Sequence, residues 1–460
     1  MTSARVRLAV VSLACAVCLS VAAARARAEE AAIAPGETLT LERAVAIALA
    51  RHPAQKEAEA KSGAAAERAG EARSALLPQV YGVAEYLRAT DNGIGDAAYL
   101  PALGIDRAPS QGRHENQLTD TFDNYLGGIS AFQYLFDFGR TRGLIDQRDA
   151  EADAERARLD LVRLDLVFAV SKAFYGLVEA KKIATVYEKA VAQREEHLRE
   201  ATVRAKTGLR PEIDVATADA DLARAQLRLV DARNRVATAK AALDEAMGLG
   251  DAAPDYAQAE AFTSPTVSGT VGGFLATALD RRPDLRMLME EARASGARIE
   301  EVRSDYLPRV GAVAGYNVRG QENAPANNLY AGIVLTWPIF NGFLTDHQVE
   351  EAKLQEEAVR HAIENLRQRI GLQVRTSFLD WQAALERIRR AEKALEASRL
   401  ALDLAEKRYE KGLGSIIELA DAERQFTQDD ADRVRALAGF AVAKAALQRD
   451  TGTGVPEATS

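Results

Sequence analysis

The chain has 460 residues, with 59 Lys and Arg against 67 Asp and Glu and a formal net charge of −8. That balance argues against nucleic acid, whose phosphates call for a basic surface. Aromatic residues make up only 6% while alanine is abundant, so helices in long contact, packed on small side chains, are expected.

Arg5 and Arg7 precede an apolar run from Leu8 to Ala24, and Ala26-Arg27-Ala28 offers a small-x-small cleavage site before Glu29. The pattern predicts a secretory signal peptide over residues 1–28. Its removal takes away four arginines and no acid, moving the balance from −8 to −12. Cys15 and Cys18 are the only cysteines and both lie in the run, so the mature chain is expected to have neither a disulfide nor a cysteine metal site.

From there the chain reads twice. ALARHP at 48–53 returns as ALDRRP at 278–283, and EARSALLPQV at 71–80 as EVRSDYLPRV at 301–310, both displaced by 230. Phe136-Asp137 returns as Phe340-Asn341, and TGLRPEIDVATADAD at 207–221 as KGLGSIIELADAERQ at 411–425, both displaced by 204. This is a tandem duplication: repeat 1 over 39–250, an inter-repeat linker over 251–268, repeat 2 over 269–452 and a tail over 453–460. The displacements differ by 26, which locates an insertion in the first copy between Pro78 and Phe136.

Each copy predicts the same succession. Pro53 or Pro283 suits a helix's first turn, Leu-Pro stops that helix, and a strand, a loop, a second strand and a very long helix follow. Strands are expected at about 79–89, 124–135, 309–319 and 327–338. In the second copy Val310, Ala312, Ala314, Tyr316 and Val318 form one alternating face and Leu329, Ala331, Ile333, Leu335 and Trp337 another. In the first, Val80, Gly82, Ala84 and Tyr86, then Tyr125, Gly127, Ile129 and Ala131, do the same. Each segment has about the 9–11 residues a membrane strand requires; two soluble hairpins packed on helices are the other reading. Four strands cannot close a barrel and lipid does not tolerate open edges, so spanning strands require an oligomer.

The stretch from Arg140 to Lys206 has 67 residues and no proline, roughly 100 Å as one helix. Leu159, Val162, Leu166, Val170, Ala173, Leu177, Ala180, Ala184, Tyr187 and Val191 form a near-heptad seam. Leu161, Leu164, Phe168, Tyr175 and Val178 form a second stripe, so the helix is expected to be flanked on two sides. Asp160, Arg163, Asp165 and Lys172 exclude a membrane-spanning helix here.

The duplicated LPQV and LPRV, the FDFGR and FNGF after the second strand of each pair, and the two Gly-Leu turns resemble the TolC-like outer-membrane efflux proteins, from about Leu39 to Thr451. The resemblance implies a mainly α protein with membrane β structure: long helices forming a periplasmic α-barrel, and four strands given by each protomer to a trimeric 12-stranded transmembrane β-barrel. It implies an outer-membrane location with most of the chain in the periplasm, and a belt round the helices over 249–272 plus the tail. Its partners would be two further copies, outer-membrane lipid, a periplasmic adaptor (membrane fusion) protein and an inner-membrane pump. The function implied is a passive channel-tunnel exporting drugs, metals or other toxic compounds, or secreted proteins as in type I secretion. A periplasmic coiled-coil adaptor or scaffold without a pore is the rival.

By the same resemblance Gly208, Leu209, Gly412 and Leu413 are the adaptor-facing tips, and Glu418 and Asp421 lie where the family has an acidic pore constriction. Their own chemistry suits that role, three apart on one helical face. Glu418 also reads as the end of a capping box begun at Ser415, and Asp421 as a solvated face. Asp214 and Tyr409 match a tip latch, whose basic partner falls at Gly414; Asp214 also reads as a helix-dipole acid. The five histidines, at 52, 114, 197, 347 and 361, have no HExxH spacing, and GxSxG, Walker and GxGxxG patterns are lacking. Catalysis, cofactor and resident metal are therefore not expected, and His197 reads as part of a charged face.

Overall fold

The computed structural model describes residues 37–90, 121–208, 211–250, 253, 256–259, 262, 266–321 and 324–454. In chain order the elements are β1 (Thr38–Leu39), α1 (Leu41–Arg51), α2 (Pro53–Ser74), β2 (Gln79–Thr90), β3 (Thr121–Phe136), α3 (Arg140–Lys206) and α4 (Glu212–Ala246). After these come β4 (Ala257–Gln258), α5 (Val271–Arg281), α6 (Pro283–Arg303), β5 (Arg309–Gln321), β6 (Ala324–Thr336), α7 (Leu344–Glu410) and α8 (Ile416–Asp450). The expected signal peptide, half of the linker and the end of the tail lie outside the described residues.

The duplication is visible in the helix lengths. α3 and α7 have 67 residues each, α4 and α8 35 each, and α1 and α5 11 each. α1 and α5 start on matching N-caps, Thr40 and Thr270, whose side chains accept from the N–H three residues on. Between the strands the copies differ: residues 91–120 connect β2 to β3, whereas 322–323 connect β5 to β6.

The chain divides into two compact units. One comprises 61–156 and 287–363. Its sheet has the order β2-β3-β5-β6, antiparallel throughout. Register brings Val80 opposite Ala131, Ala131 opposite Ala314 and Ala314 opposite Ala331; Gly82, Ile129, Tyr316 and Leu329 form the next such row. Directly opposed residues share a face, so the four alternating sets read from the sequence fall on a single face. A bulge at Tyr134/Phe136 inserts Leu135 and returns Phe136 to that face, opposite Val310. The other face is mixed, with Glu85, Ser130, Asn317, Asn328 and Tyr330 beside Val83, Leu126, Phe132 and Val313. β6 ends at Thr336; Trp337 lies beyond it and donates its indole N–H to the Tyr306 carbonyl at 3.1 Å.

Strand β5 has glycines where neighbouring rings need room. A Cβ at Gly315 would meet the Tyr330 ring at 2.6 Å, and one at Gly311 the Phe132 ring at 2.7 Å. Within this unit the start of α3 is held on two sides: Arg73 of α2 pairs with Asp149 at 2.8 Å, and Arg293 of α6 with Asp153 at 2.6 Å. The strand-to-helix turns each use two consecutive left-handed residues, Phe138-Gly139 and Gly342-Phe343. A left-handed phenylalanine costs about 1–2 kcal/mol.

The other unit comprises 1–60, 157–286 and 364–460. Its first core joins Leu39, Ile47, Leu166, Val170, Phe174, Leu177, Leu243 and Met247, and a second joins Phe378, Trp381, Ile388, Phe440 and Leu447. Phe174 and Phe378, like Leu243 and Leu447, are 204 apart, so each copy builds the same core. The short parallel pair β1–β4 closes the first core, matching Thr38 with Ala257 and Leu39 with Gln258.

Candidate functional site

The two helix turns lie in this second unit, and their backbone follows from glycine. In the α7–α8 turn the Gly412 N–H donates to the Tyr409 carbonyl at 3.0 Å and the Leu413 N–H to the Arg408 carbonyl at 2.9 Å, the paired bonds of a Schellman stop. Gly412 has φ 73° and Gly208 φ 72°, and the Gly208 N–H makes the matching bond to the Ala205 carbonyl at 3.0 Å. Leu209 lies outside the described residues. Leu413 is exposed.

α8 then starts on Ser415, whose Oγ accepts the Glu418 N–H at 3.1 Å. This is half of a capping box. The Glu418 carboxylate instead takes the Arg408 guanidinium, Nε to Oε1 at 3.1 Å. Gly414 is wedged between them: a Cβ there would lie 3.1 Å from the Arg408 Cβ and 3.3 Å from the Glu418 carboxylate. Arg408 thus reaches Glu418 across the turn from ten residues earlier, while position 414, where the latch's basic partner would fall, is glycine. Asp421 pairs with Arg424 on its own helix. Each acid of the expected constriction therefore has its own arginine, in half-exposed pairs of the kind worth about 0–1 kcal/mol.

In the first copy Asp214 holds the corresponding third position of α4, its N–H bonded to the Pro211 carbonyl at 3.1 Å. Its side chain is buried, and its Oδ2 has no hydrogen-bond partner among the described residues. Tyr409 is 2% exposed, packed with Leu402, Ala405, Ile416 and Leu419, and the Arg204 guanidinium of α3 lies 5.5 Å from its ring centre.

Behind the turns is a charged cluster that the sequence did not announce. Glu423 of α8 is 4% exposed and Arg194 of α3 6%. The Glu423 carboxylate pairs with the His197 Nδ1 and lies 3.8 Å from the Arg194 Nε. His197 therefore faces inward, and the reading of it as part of a charged surface is corrected. The signal available was Glu423's position two residues after Asp421, which turns it about 200° round the helix and away from the exposed face. Gln193 ties the same part of α3 to α7 through Glu406 at 2.9 Å.

An outer membrane efflux protein family model matches residues 44–249 and 274–453, both copies of the duplication. The chain belongs to that family. Outer membrane efflux protein BepC of Brucella suis biovar 1 is 24% identical over 365 residues, 78% of each chain. Protein CyaE of Bordetella pertussis is 24% identical over 345 residues, 73% of this chain and 72% of CyaE. The open-state MtrE outer membrane channel of Neisseria gonorrhoeae has the same fold, with a TM-score of 0.74 over 91% of this chain and 90% of MtrE at 21% identity. As a member of the family the chain is a TolC-like outer-membrane channel-tunnel for export, a helical tunnel plus a β domain, and the adaptor or scaffold reading is not favoured. Family and fold are those of channel proteins.

Proposed function

We propose that three copies of this chain close one passive, non-catalytic pore, each giving four strands to a twelve-stranded barrel. The observation that carries this is the sheet: one apolar face runs across all four strands, and β2 and β6 stand at its edges. A lipid-facing sheet with unpaired edges is not viable, and a neighbouring copy's sheet satisfies both. Cargo enters from an inner-membrane pump through a periplasmic adaptor seated on the Gly208-Leu209 and Gly412-Leu413 turns. That pump sets whether the cargo is a small toxic compound or a secreted protein. Detergent-solubilised protein should have the mass of three chains by light scattering; a monodisperse monomer, indifferent to detergent, would sink the reading.

At the same end, Glu418 and Asp421 from three copies form the constriction, with Asp214 and Tyr409 latching neighbouring helices. Arg408 and Arg424 come with the acids, so the ring is nearly charge-balanced and its cation selectivity should be modest. Glu418→Ala with Asp421→Ala leaves six guanidiniums and should turn single-channel selectivity toward anions. Arg408→Ala with Arg424→Ala leaves six carboxylates and should strengthen cation preference and block by a trivalent cation from the periplasmic side. Unchanged selectivity in both double variants would mean that the constriction lies elsewhere.

A further inference from the structure

We propose that His197 and Glu423 form a proton-operated clasp between α3 and α8, which holds the turn end of the helices closed when His197 is protonated and releases it when His197 is neutral. The link from clasp to pore rests on the reading above that the turn end is the constriction.

The two residues stand at the same distance from their turns: His197 is eleven residues before Gly208 and Glu423 eleven after Gly412. Counted from the helix ends at Lys206 and Ile416, the pair stands about 14 Å back along α3 and about 10 Å along α8 at 1.5 Å per residue, so separating it frees roughly two and a half turns of α3 and two of α8. Glu423 is a buried carboxylate, and burying an ion is costly without a partner. Among the described residues its Oε1 has no donor besides the His197 Nδ1, and Oε2 has Arg194 at 3.8 Å. A neutral imidazole with its proton on Nδ1 keeps the hydrogen bond but loses the ion pair, and Arg194 alone then offsets the buried charge.

The surroundings reinforce the sense of the switch. His197 is faced by Glu200 on its own helix, Glu406 on α7 and Glu423 on α8. Arg194 is faced by Asp221 and Arg228 on α4 and by Glu423 and Arg424 on α8. Burial is the largest single influence on His197 and lowers its pKa, but the bond to Glu423 and the charges of Glu423, Glu406 and Glu200 together raise it above the usual value. A histidine raised in the closed state stabilises that state fully below its free value of about 6.5 and loses the contribution as pH rises through the closed-state value. Glu406 is also raised, chiefly by burial and against the lowering charge of His197, so its ionisation likewise opposes closure as pH rises.

The corresponding contact in the duplicate lacks the device. Two hundred and four residues on from His197 is Ala401, and 204 before Glu423 is Asp219, which is exposed. Only the α3–α8 side can respond to protons in this way.

The test uses the full-length protein in detergent and in bilayers. Hydrogen exchange of residues 190–208 and 412–428, corrected for intrinsic rates, is followed from pH 5.5 to 8.5, and conductance is recorded over the same range. The parent should lose protection several-fold with rising pH while its conductance rises. His197→Gln should give low protection and high conductance at every pH, and Glu423→Gln should also be flat. Parent-like pH dependence in both variants overturns the clasp. Protection that shifts as expected while conductance ignores pH supports the clasp and overturns the constriction at the turns.

Discussion

Replacing Gly248 or Gly452 by valine is expected to cost about 3 kcal/mol, seen as a lower unfolding midpoint for the helical signal of the solubilised protein. Both glycines end their helices with the same paired bonds, the N–H of Gly248 to the Glu245 carbonyl at 2.8 Å and that of Gly452 to the Arg449 carbonyl at 3.0 Å. Both have positive φ, 71° and 74°, where an L side chain costs about 1–2 kcal/mol. Both also touch backbone. A Cβ at Gly248 would lie 2.8 Å from the His52 Cα, and one at Gly452 3.0 Å from the Arg281 carbonyl carbon, an overlap of a kind that typically costs about 1–3 kcal/mol. Gly412 has the same φ but open space around it, so Gly412→Val should show the backbone cost alone. Equal losses at all three would mean that the contacts with the α1 and α5 ends contribute nothing.

A positive charge on the apolar face of the sheet should have a comparable effect on insertion. Ala314 sits mid-strand in β5 on the face that carries Ala131, Ile129, Tyr316, Ala331 and Ile333. If that face meets lipid, Ala314→Arg should cost about 2–4 kcal/mol, the penalty for arginine near the middle of the bilayer. Asn317→Arg, three residues on and on the opposite face, puts the same charge into the lumen and should insert nearly as the parent does. Folding yield into lipid vesicles compares the two. Equal penalties would remove the assignment of faces.

The sheet face was legible because a period of two is a strong signal once four segments share it, and the long helices because proline is absent and two turns recur 204 residues apart. The bulge at Leu135 was not, since one extra residue in a strand leaves the local alternation intact on either side. At the turns, glycine announced the backbone and the capping box announced Ser415. The partner of Glu418 was not legible because a guanidinium on a long stem reaches across the turn from 408, a pairing that no helical spacing signals. His197 and Glu423 escaped for a different reason. Each sits in a charged stretch, and composition alone does not say which of several charges a helix turns inward.

The equality of helix lengths has a consequence for how such chains can vary. α3 and α7 match at 67 residues and α4 and α8 at 35. Deleting one heptad from α3 alone would draw its Gly208 turn back by about 10 Å, away from Arg204's seat on Tyr409 and His197's on Glu423. Insertions and deletions in these helices are therefore expected to be tolerated only in matched sets, removed from an ascending helix and its returning partner in both halves. The connections after β2 and β5 already differ in length, 30 residues in one half and two in the other.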